Sequence, residues 1–155
     1  MRLQERASCR VGRPTGLVID DRIWHHSPVS FDVYLQGFRD GEAEQGSGDA
    51  ALDLITPLIS RRTADWARVA TDDGEADVFG IDQPSTGLMF NHLSGDAAWS
   101  LVFQVARAGG FAIMPVGCPT CVVSAEMLRA LPDELASDAI VVSSGDDLLA
   151  AIEKA

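Results

Sequence analysis

The sequence predicts an α+β fold in which helices pack on a mostly antiparallel sheet. Apolar and polar residues alternate from Phe31 to Gln36, which is the period of a half-buried strand. Three more strand-like stretches follow, separated by short turns of the kind that favour antiparallel pairing. The segment from Trp99 to Val105 is apolar almost all round, which is typical of a buried helix. The composition, 46% apolar and 23% charged, is that of a globular domain.

The first half of the chain predicts one strand, one interrupted helix and a meander. After the opening strand, the Gly- and Glu-rich stretch from Arg39 to Asp49 predicts a loop. Asp49 can then cap a helix whose inward side is formed by Leu52, Ile55 and Ile59. Pro57 predicts a kink or split in that helix, because proline removes a backbone hydrogen bond. The strands of the meander are predicted at residues 66–70, 76–81 and 87–92.

The second half predicts three helices and two strands. Asp96 follows Ser94 and Gly95 and opens the apolar helix, which Gly109 and Gly110 close. A strand is expected at 111–115, a short helix at 124–131 and another strand at 139–142, and a final helix begins after Ser144. The predicted order is β-α-β-β-β-α-β-α-β-α.

The first 28 residues differ in character from the rest. They mix Arg, Ser, Gly and Pro, and their only short apolar run is Leu17 to Ile19. At Val29, directly after Pro28, the alternating strand pattern begins. We therefore expect a poorly ordered N-terminal arm over residues 1–28 and a single domain over residues 29–155.

The charge of the chain is unevenly distributed. The formal net charge is −11, but residues 1–28 carry five Arg against three carboxylates, so the remainder carries −13. A surface this negative repels nucleic acid and anionic membranes, which leaves a basic protein as the expected charged partner. The simpler interpretation is that the acidity only keeps the protein soluble. The oligomeric state does not follow from the sequence.

The hydropathy pattern indicates a cytoplasmic protein. The uncharged stretch from Phe111 to Ala125 contains two prolines and a glycine and is too short to span a bilayer. The N-terminal residues lack the apolar core of a signal peptide. No membrane association is expected.

Cys118 and Cys121 form a Cys-x-x-Cys pair, with Pro119 and Thr120 between them. The pair lies between a predicted strand and a predicted helix, where a helix N-terminus can stabilise a thiolate for redox chemistry. The alternative is that both are small apolar residues in a buried connection. The surrounding stretch contains no Lys, Arg or His that would stabilise a thiolate, which favours the structural interpretation.

Other patterns do not predict catalysis, a cofactor or a metal. A zinc site would need further ligands from Cys9, His25, His26 and His92, and His92 is expected to be a hydrogen-bonded core histidine because it alternates with Leu88 and Phe90. The sequence has no Gly-x-Ser-x-Gly elbow and no phosphate-binding glycine loop. A cluster of carboxylates does not match calcium-loop spacing and predicts a solvated turn; its members are Asp72, Asp73, Glu75 and Asp77.

The opening stretch Phe31-Asp32-Val33-Tyr34-Leu35-Gln36 resembles the start of small bacterial proteins of uncharacterised families, in which an aromatic-rich helix and an apolar strand follow later. Some small acidic proteins of this kind look like immunity proteins that guard against secreted toxins. The resemblance implies a protein-binding or toxin-inhibiting module and transfers no active site. The alternative function is a thiol-disulfide redox protein that uses Cys118 and Cys121.

Overall fold

The structure is a computed structural model that describes residues 32–154. This part of the chain combines helices with a mostly antiparallel sheet, which confirms the predicted α+β class. The predicted boundary at Val29 and the N-terminal arm lie outside the described residues, so both stay predictions.

The described residues form a sheet of nine strands: β1 (Val33–Arg39), β2 (Glu42–Glu44), β3 (Ile59–Arg62), β4 (Trp66–Ala70), β5 (Glu75–Phe79), β6 (Leu88–Ser94), β7 (Ala112–Pro115), β8 (Cys121–Val122) and β9 (Ile140–Val141). Across the sheet the order is β3-β4-β5-β6-β1-β7-β8-β9, and β2 pairs with β1 beside this path. The β8–β9 pair is parallel, whereas the other pairs are antiparallel.

Five α-helices accompany the strands of residues 32–154: α1 (Gly48–Ile55), α2 (Asp96–Gly109), α3 (Ala125–Ala130), α4 (Asp133–Ala136) and α5 (Gly145–Lys154). Short 3₁₀ turns occupy Thr56–Leu58 and Pro84–Thr86. Helix α2 packs between α1 and α5, and these three helices supply side chains to the main core on one face of the sheet.

The main core depends on the alternation of side chains along the strands. In β1, Val33 and Leu35 are buried and point toward the three helices, together with Val78 of β5 and Phe90 of β6. Trp99 of α2 is only 3% exposed, which confirms the prediction of a buried helix.

A smaller apolar cluster lies on the opposite face, at one end of the sheet. Ala112 of β7, Val122 of β8 and Leu131 are buried there, and Phe38 of β1 packs against them. Side chains of α3 and α4 complete the cluster, so these two short helices cover this end of the second face.

The structure differs from the sequence-based prediction at the first helix and in several short elements. Pro57 ends α1 by starting a 3₁₀ turn, and Ile59 therefore begins β3 instead of extending the helix. The residue before α1 is Ser47, so Asp49 lies in the first turn and is not its cap. Strands β2, β3 and β8 and helix α4, each two to four residues long, were not predicted.

The N-terminus of α2 is capped by a residue that is distant in the sequence. Asp73, in the β4–β5 turn, accepts hydrogen bonds from the backbone N–H of Asp96 (2.9 Å) and of Ala97 (3.1 Å). These are two of the donors that a helix leaves unpaired in its first turn. Gly95 precedes the helix with φ +86°, and a Cβ there would collide with the Asp73 carboxylate. The meander and the buried helix are thus joined by one side chain.

We expect Asp73→Ala to lower the free energy of unfolding by roughly 0.5–2 kcal/mol, the usual cost of losing a cap. Asp72→Ala is the matched control, because it removes an exposed carboxylate from the same turn. Chemical denaturation of both variants checks the prediction. Equal destabilisation by the two would contradict the capping role.

Candidate functional site

The sheet face opposite the main core carries an unbroken row of apolar side chains. Direct cross-strand neighbours link Trp66 to Phe79, Phe79 to Met89, Met89 to Tyr34, and Tyr34 to Met114. The row therefore crosses strands β4, β5, β6, β1 and β7. With adjacent strands about 4.8 Å apart, it extends for roughly 19 Å. We call these five residues the apolar row.

The apolar row belongs to neither hydrophobic cluster. Tyr34 is 44% exposed, and the other four members are half-buried. Helices α3 and α4 cover only the end of this face near β8. Five large apolar side chains thus remain partly exposed in one line, and a contiguous arrangement of this kind is typical of an interaction surface.

A polar row runs beside the apolar row and is centred on Asp77, which is 4% exposed. The Asp77 carboxylate accepts two hydrogen bonds from the guanidinium of Arg68, at 2.8 and 3.3 Å. The Nδ1 atom of His92 lies 2.9 Å from Oδ2, an oxygen that also accepts one of the Arg68 hydrogen bonds. Burying a carboxylate is tolerable here because two cationic or donor groups satisfy it.

His92 reaches this face because of a β-bulge. The register between β5 and β6 shifts between Glu75 and Asp77, and His92 is the additional residue on β6. Its backbone has φ +53°, which for a non-glycine residue costs roughly 1–3 kcal/mol. The expectation of a core histidine was wrong: the side chain is 53% exposed, and the bulge returns Leu93, not His92, to the core. The expectation that it is hydrogen-bonded was correct.

Two arginines hold the indole of Trp66 at the β3–β4 end of the face. The guanidinium carbons of Arg61 and Arg68 lie 5.9 and 5.7 Å from the ring centroid, within cation–π range. Arg68 also binds Asp77, so the carboxylate, the guanidinium and the indole form one connected arrangement. Farther along the polar row, Asn91 donates a hydrogen bond to Asp32 at 3.2 Å.

The electrostatics of Asp77 reflect two opposing effects. Burial alone would raise the pKa of the Asp77 carboxyl, but the hydrogen bonds from Arg68 and His92 outweigh it and lower the pKa below its ordinary value. The hydrogen bond to Asp77 raises the pKa of the Arg68 guanidinium. The cluster therefore favours an ionised Asp77.

The two residues of the predicted redox pair lie in different environments. Cys121 lies in β8, is 1% exposed and packs in the main core, where its thiol is free. Burial raises the pKa of this thiol to about 12. Cys118 is half-buried in the β7–β8 connection and is not joined to Cys121 by a disulfide. A protonated core thiol is a poor nucleophile, so these features disfavour the redox interpretation.

The carboxylate cluster of the β4–β5 hairpin has structural partners. Asp73 caps α2 and Asp77 binds Arg68. Within residues 32–154, no three His, Cys, Asp or Glu side chains converge to form a possible metal site. In the same range, none of the helices has the length and hydrophobicity needed to cross a membrane.

No protein-family model, curated protein or solved structure matches this chain.

The apolar row was not predicted from the sequence, although part of its signal is visible there. Leu88-Met89-Phe90 and Ile113-Met114 are apolar at consecutive positions, and consecutive apolar residues in a strand indicate that both faces are covered. The cross-strand register that aligns the five residues could not be read from the sequence.

The lowered pKa of Asp77 makes part of the stability depend on pH. Because the pKa of Asp77 is lower in the folded than in the unfolded chain, its ionisation stabilises the fold at pH values above the unfolded-state pKa of about 3.9. This stabilisation is lost as the pH falls through the folded-state pKa. At pH 7 we expect Asp77→Asn to be less stable than the wild type by roughly 1–3 kcal/mol. Chemical denaturation at pH 7 and near pH 3 should show that the difference in unfolding free energy between the wild type and Asp77→Asn is smaller in acid. A difference that does not change with pH would contradict the prediction.

Burial of Cys121 should make it resistant to alkylation. We expect iodoacetamide to label Cys121 of the folded protein at pH 7.5 at least a hundred times more slowly than in the guanidinium-unfolded chain, because the folded thiol is inaccessible and protonated. Site-resolved mass spectrometry measures both rates, and the unfolded chain serves as the control. Labelling of Cys121 at comparable rates in the two states would restore the redox interpretation.

Proposed function

We propose that this chain is a bacterial, cytoplasmic protein-binding module of the toxin-inhibiting kind, and that the apolar row is the centre of its contact surface. The observation that supports this most directly is the alignment of Trp66, Phe79, Met89, Tyr34 and Met114 outside both hydrophobic clusters. A monomeric domain gains nothing in its own stability from leaving these side chains half-exposed.

The residue types and their rigidity fit a binding surface. Trp, Tyr and Arg are enriched among the residues that contribute most to protein–protein affinity. Here Trp66, Tyr34 and Arg68 share one face and stand on strands, not on loops. Cation–π contacts from Arg61 and Arg68 restrain the Trp66 ring, and a side chain restrained before binding loses less entropy when it binds.

The charge of the domain supports a basic partner. The chain beyond residue 28 carries a net charge of −13. The negative electrostatic field of such a domain accelerates its encounter with a positively charged protein and disfavours the binding of nucleic acid. An acidic inhibitor of a toxin with a basic active site would use this field for association and the apolar row for affinity. Redox chemistry at Cys118 and Cys121 is the weaker alternative, because the Cys121 thiol is buried and free.

The test compares two apolar substitutions in one binding measurement. The product of a neighbouring gene, or a partner captured by the full chain and then purified, is titrated by calorimetry against the wild type, Trp66→Ala and Val141→Ala. Val141 is the matched control, because it is 49% exposed but lies on β9, at the edge of the sheet opposite β3.

We expect Trp66→Ala to weaken the Kd at least tenfold, about 1.4 kcal/mol, and Val141→Ala to leave it within twofold. The partner should carry a net positive charge. Equal affinities for the two variants would contradict the assignment of the apolar row as the contact surface. An acidic partner would contradict the prediction that the partner is basic.

A further inference from the structure

We propose that residues 17–24 of this chain dock on the apolar row, so that the protein covers its own contact surface when no other protein occupies it. This inference concerns the same surface as the proposed function but does not depend on a foreign partner. Three observations support it: the place where the preceding chain joins the sheet, the length and apolar content of that chain, and the distribution of charge.

The chain before residue 32 joins the sheet beside the apolar row. Asp32 directly precedes β1, and its side chain accepts a hydrogen bond from Asn91 in the polar row. Because side chains alternate along an extended chain, Asp32 lies on the same face as Tyr34, two residues farther on. Two residues of a strand correspond to about 7 Å. The preceding segment therefore starts close to the middle of the apolar row.

The face bearing the apolar row has room for this segment. Helices α1, α2 and α5 cover the other face of the sheet. Helices α3 and α4 reach only β7, β8 and the end of β1 that carries Phe38, which is the end opposite to Asp32. A segment that turns back from Asp32 can therefore lie along the apolar row without displacing any helix of residues 32–154.

Residues 17–24 have the length and composition to cover the row. Five of these eight residues are apolar: Leu17, Val18, Ile19, Ile23 and Trp24. An extended chain advances by about 3.3 Å per residue, so eight residues can cross a row of roughly 19 Å. Trp24 is eight residues from Asp32 and can therefore reach Trp66, which lies three strand spacings from β1, about 14 Å. Contact between the segment and the row removes both apolar sets from water.

The charges indicate the direction in which the segment crosses the row. The residues before Leu17 carry four Arg against Glu5, a net charge of +3. Helices α3 and α4 and the turn that follows them expose four carboxylates near the β7–β8 end; these are Glu126, Asp133, Glu134 and Asp138. With Trp24 near Trp66 and Leu17 near Met114, the arginines arrive beside these carboxylates. The reverse direction would bring the arginines toward the exposed Arg61 of β3, and like charges repel.

The docked segment and a foreign protein compete for one surface. Because the segment is covalently attached, its effective concentration at the row is on the order of millimolar. A foreign protein therefore binds only if it displaces residues 17–24. In this arrangement the predicted poorly ordered arm is restricted to the residues before Leu17, whose attraction to the carboxylates does not require a single conformation.

The experiment measures how fast trypsin cleaves the folded full chain after Arg22, which lies within residues 17–24. Cleavage requires the segment to leave the row, so its rate reports the population of the undocked state. A synthetic peptide of residues 15–29 gives the rate for the same sequence when it is undocked. We expect the wild-type chain to be cleaved at Arg22 more slowly than the peptide by about tenfold or more. The rate constant should not change with protein concentration, because docking occurs within one chain.

Two pairs of variants locate the contact. Tyr34→Ala removes a member of the apolar row and should accelerate cleavage after Arg22 by about fivefold or more. Val141→Ala is its matched control, because Val141 is similarly exposed but lies on β9, and it should change the rate by less than about twofold. In the segment itself, Leu17→Asp should accelerate cleavage in the same way. Its control, Thr15→Asp, adds the same charge two residues outside the segment and should not.

Circular dichroism shows that each variant is folded. Wild-type cleavage at the rate of the free peptide would overturn the inference, as would equal acceleration by Tyr34→Ala and Val141→Ala. An Arg22 bond that is protected in the wild type and in every variant would mean that the segment docks elsewhere, which also overturns it. Protection that increases with protein concentration would indicate contact between chains and would overturn it as well. These outcomes do not depend on the Kd for a foreign partner, so the proposed function is tested separately.

Discussion

The pairing of β1 with β6 on one side and β7 on the other holds this fold together. It joins the β3–β6 meander to the C-terminal half of the chain through residues 33–36, which are distant in sequence from both partners. The same strand supplies Val33 and Leu35 to the main core and Tyr34 to the opposite face. Because successive side chains of a strand point in opposite directions, the register that buries the first two also exposes the third. The core and the candidate binding surface are therefore two consequences of one register.

The two faces of the sheet are covered unequally, which leaves much of the second face without a helix over it. Helices α1, α2 and α5 cover one face, and the capping of α2 by Asp73 holds the central helix of this layer against the meander. On the second face, α3 and α4 reach only β7, β8 and the end of β1 that carries Phe38. The remaining strands present the apolar row and, beside it, a polar row whose buried carboxylate requires both Arg68 and His92. The His92 backbone conformation places the imidazole within hydrogen-bond distance of that carboxylate.

Binding at this face would combine two physical effects. The apolar row would supply affinity without selecting a partner, since burial of apolar area is non-directional. Selection would come from charge, because the acidic domain favours encounter with a basic protein over an acidic one.

The sequence by itself determined the fold class, the meander, the buried Trp99 helix and the interruption at Pro57, because each depends on local periodicity, turn residues or proline geometry. The burial of Cys121 followed from its uncharged surroundings. Only the tertiary structure decided the strand order, the short strands, the capping of α2 by Asp73 and the position of His92. These features depend on contacts between residues far apart in the chain and on a one-residue bulge that reverses which side chain faces the core. The apolar row belongs to the second group: its members lie on separate strands, and only the cross-strand register brings them into one line.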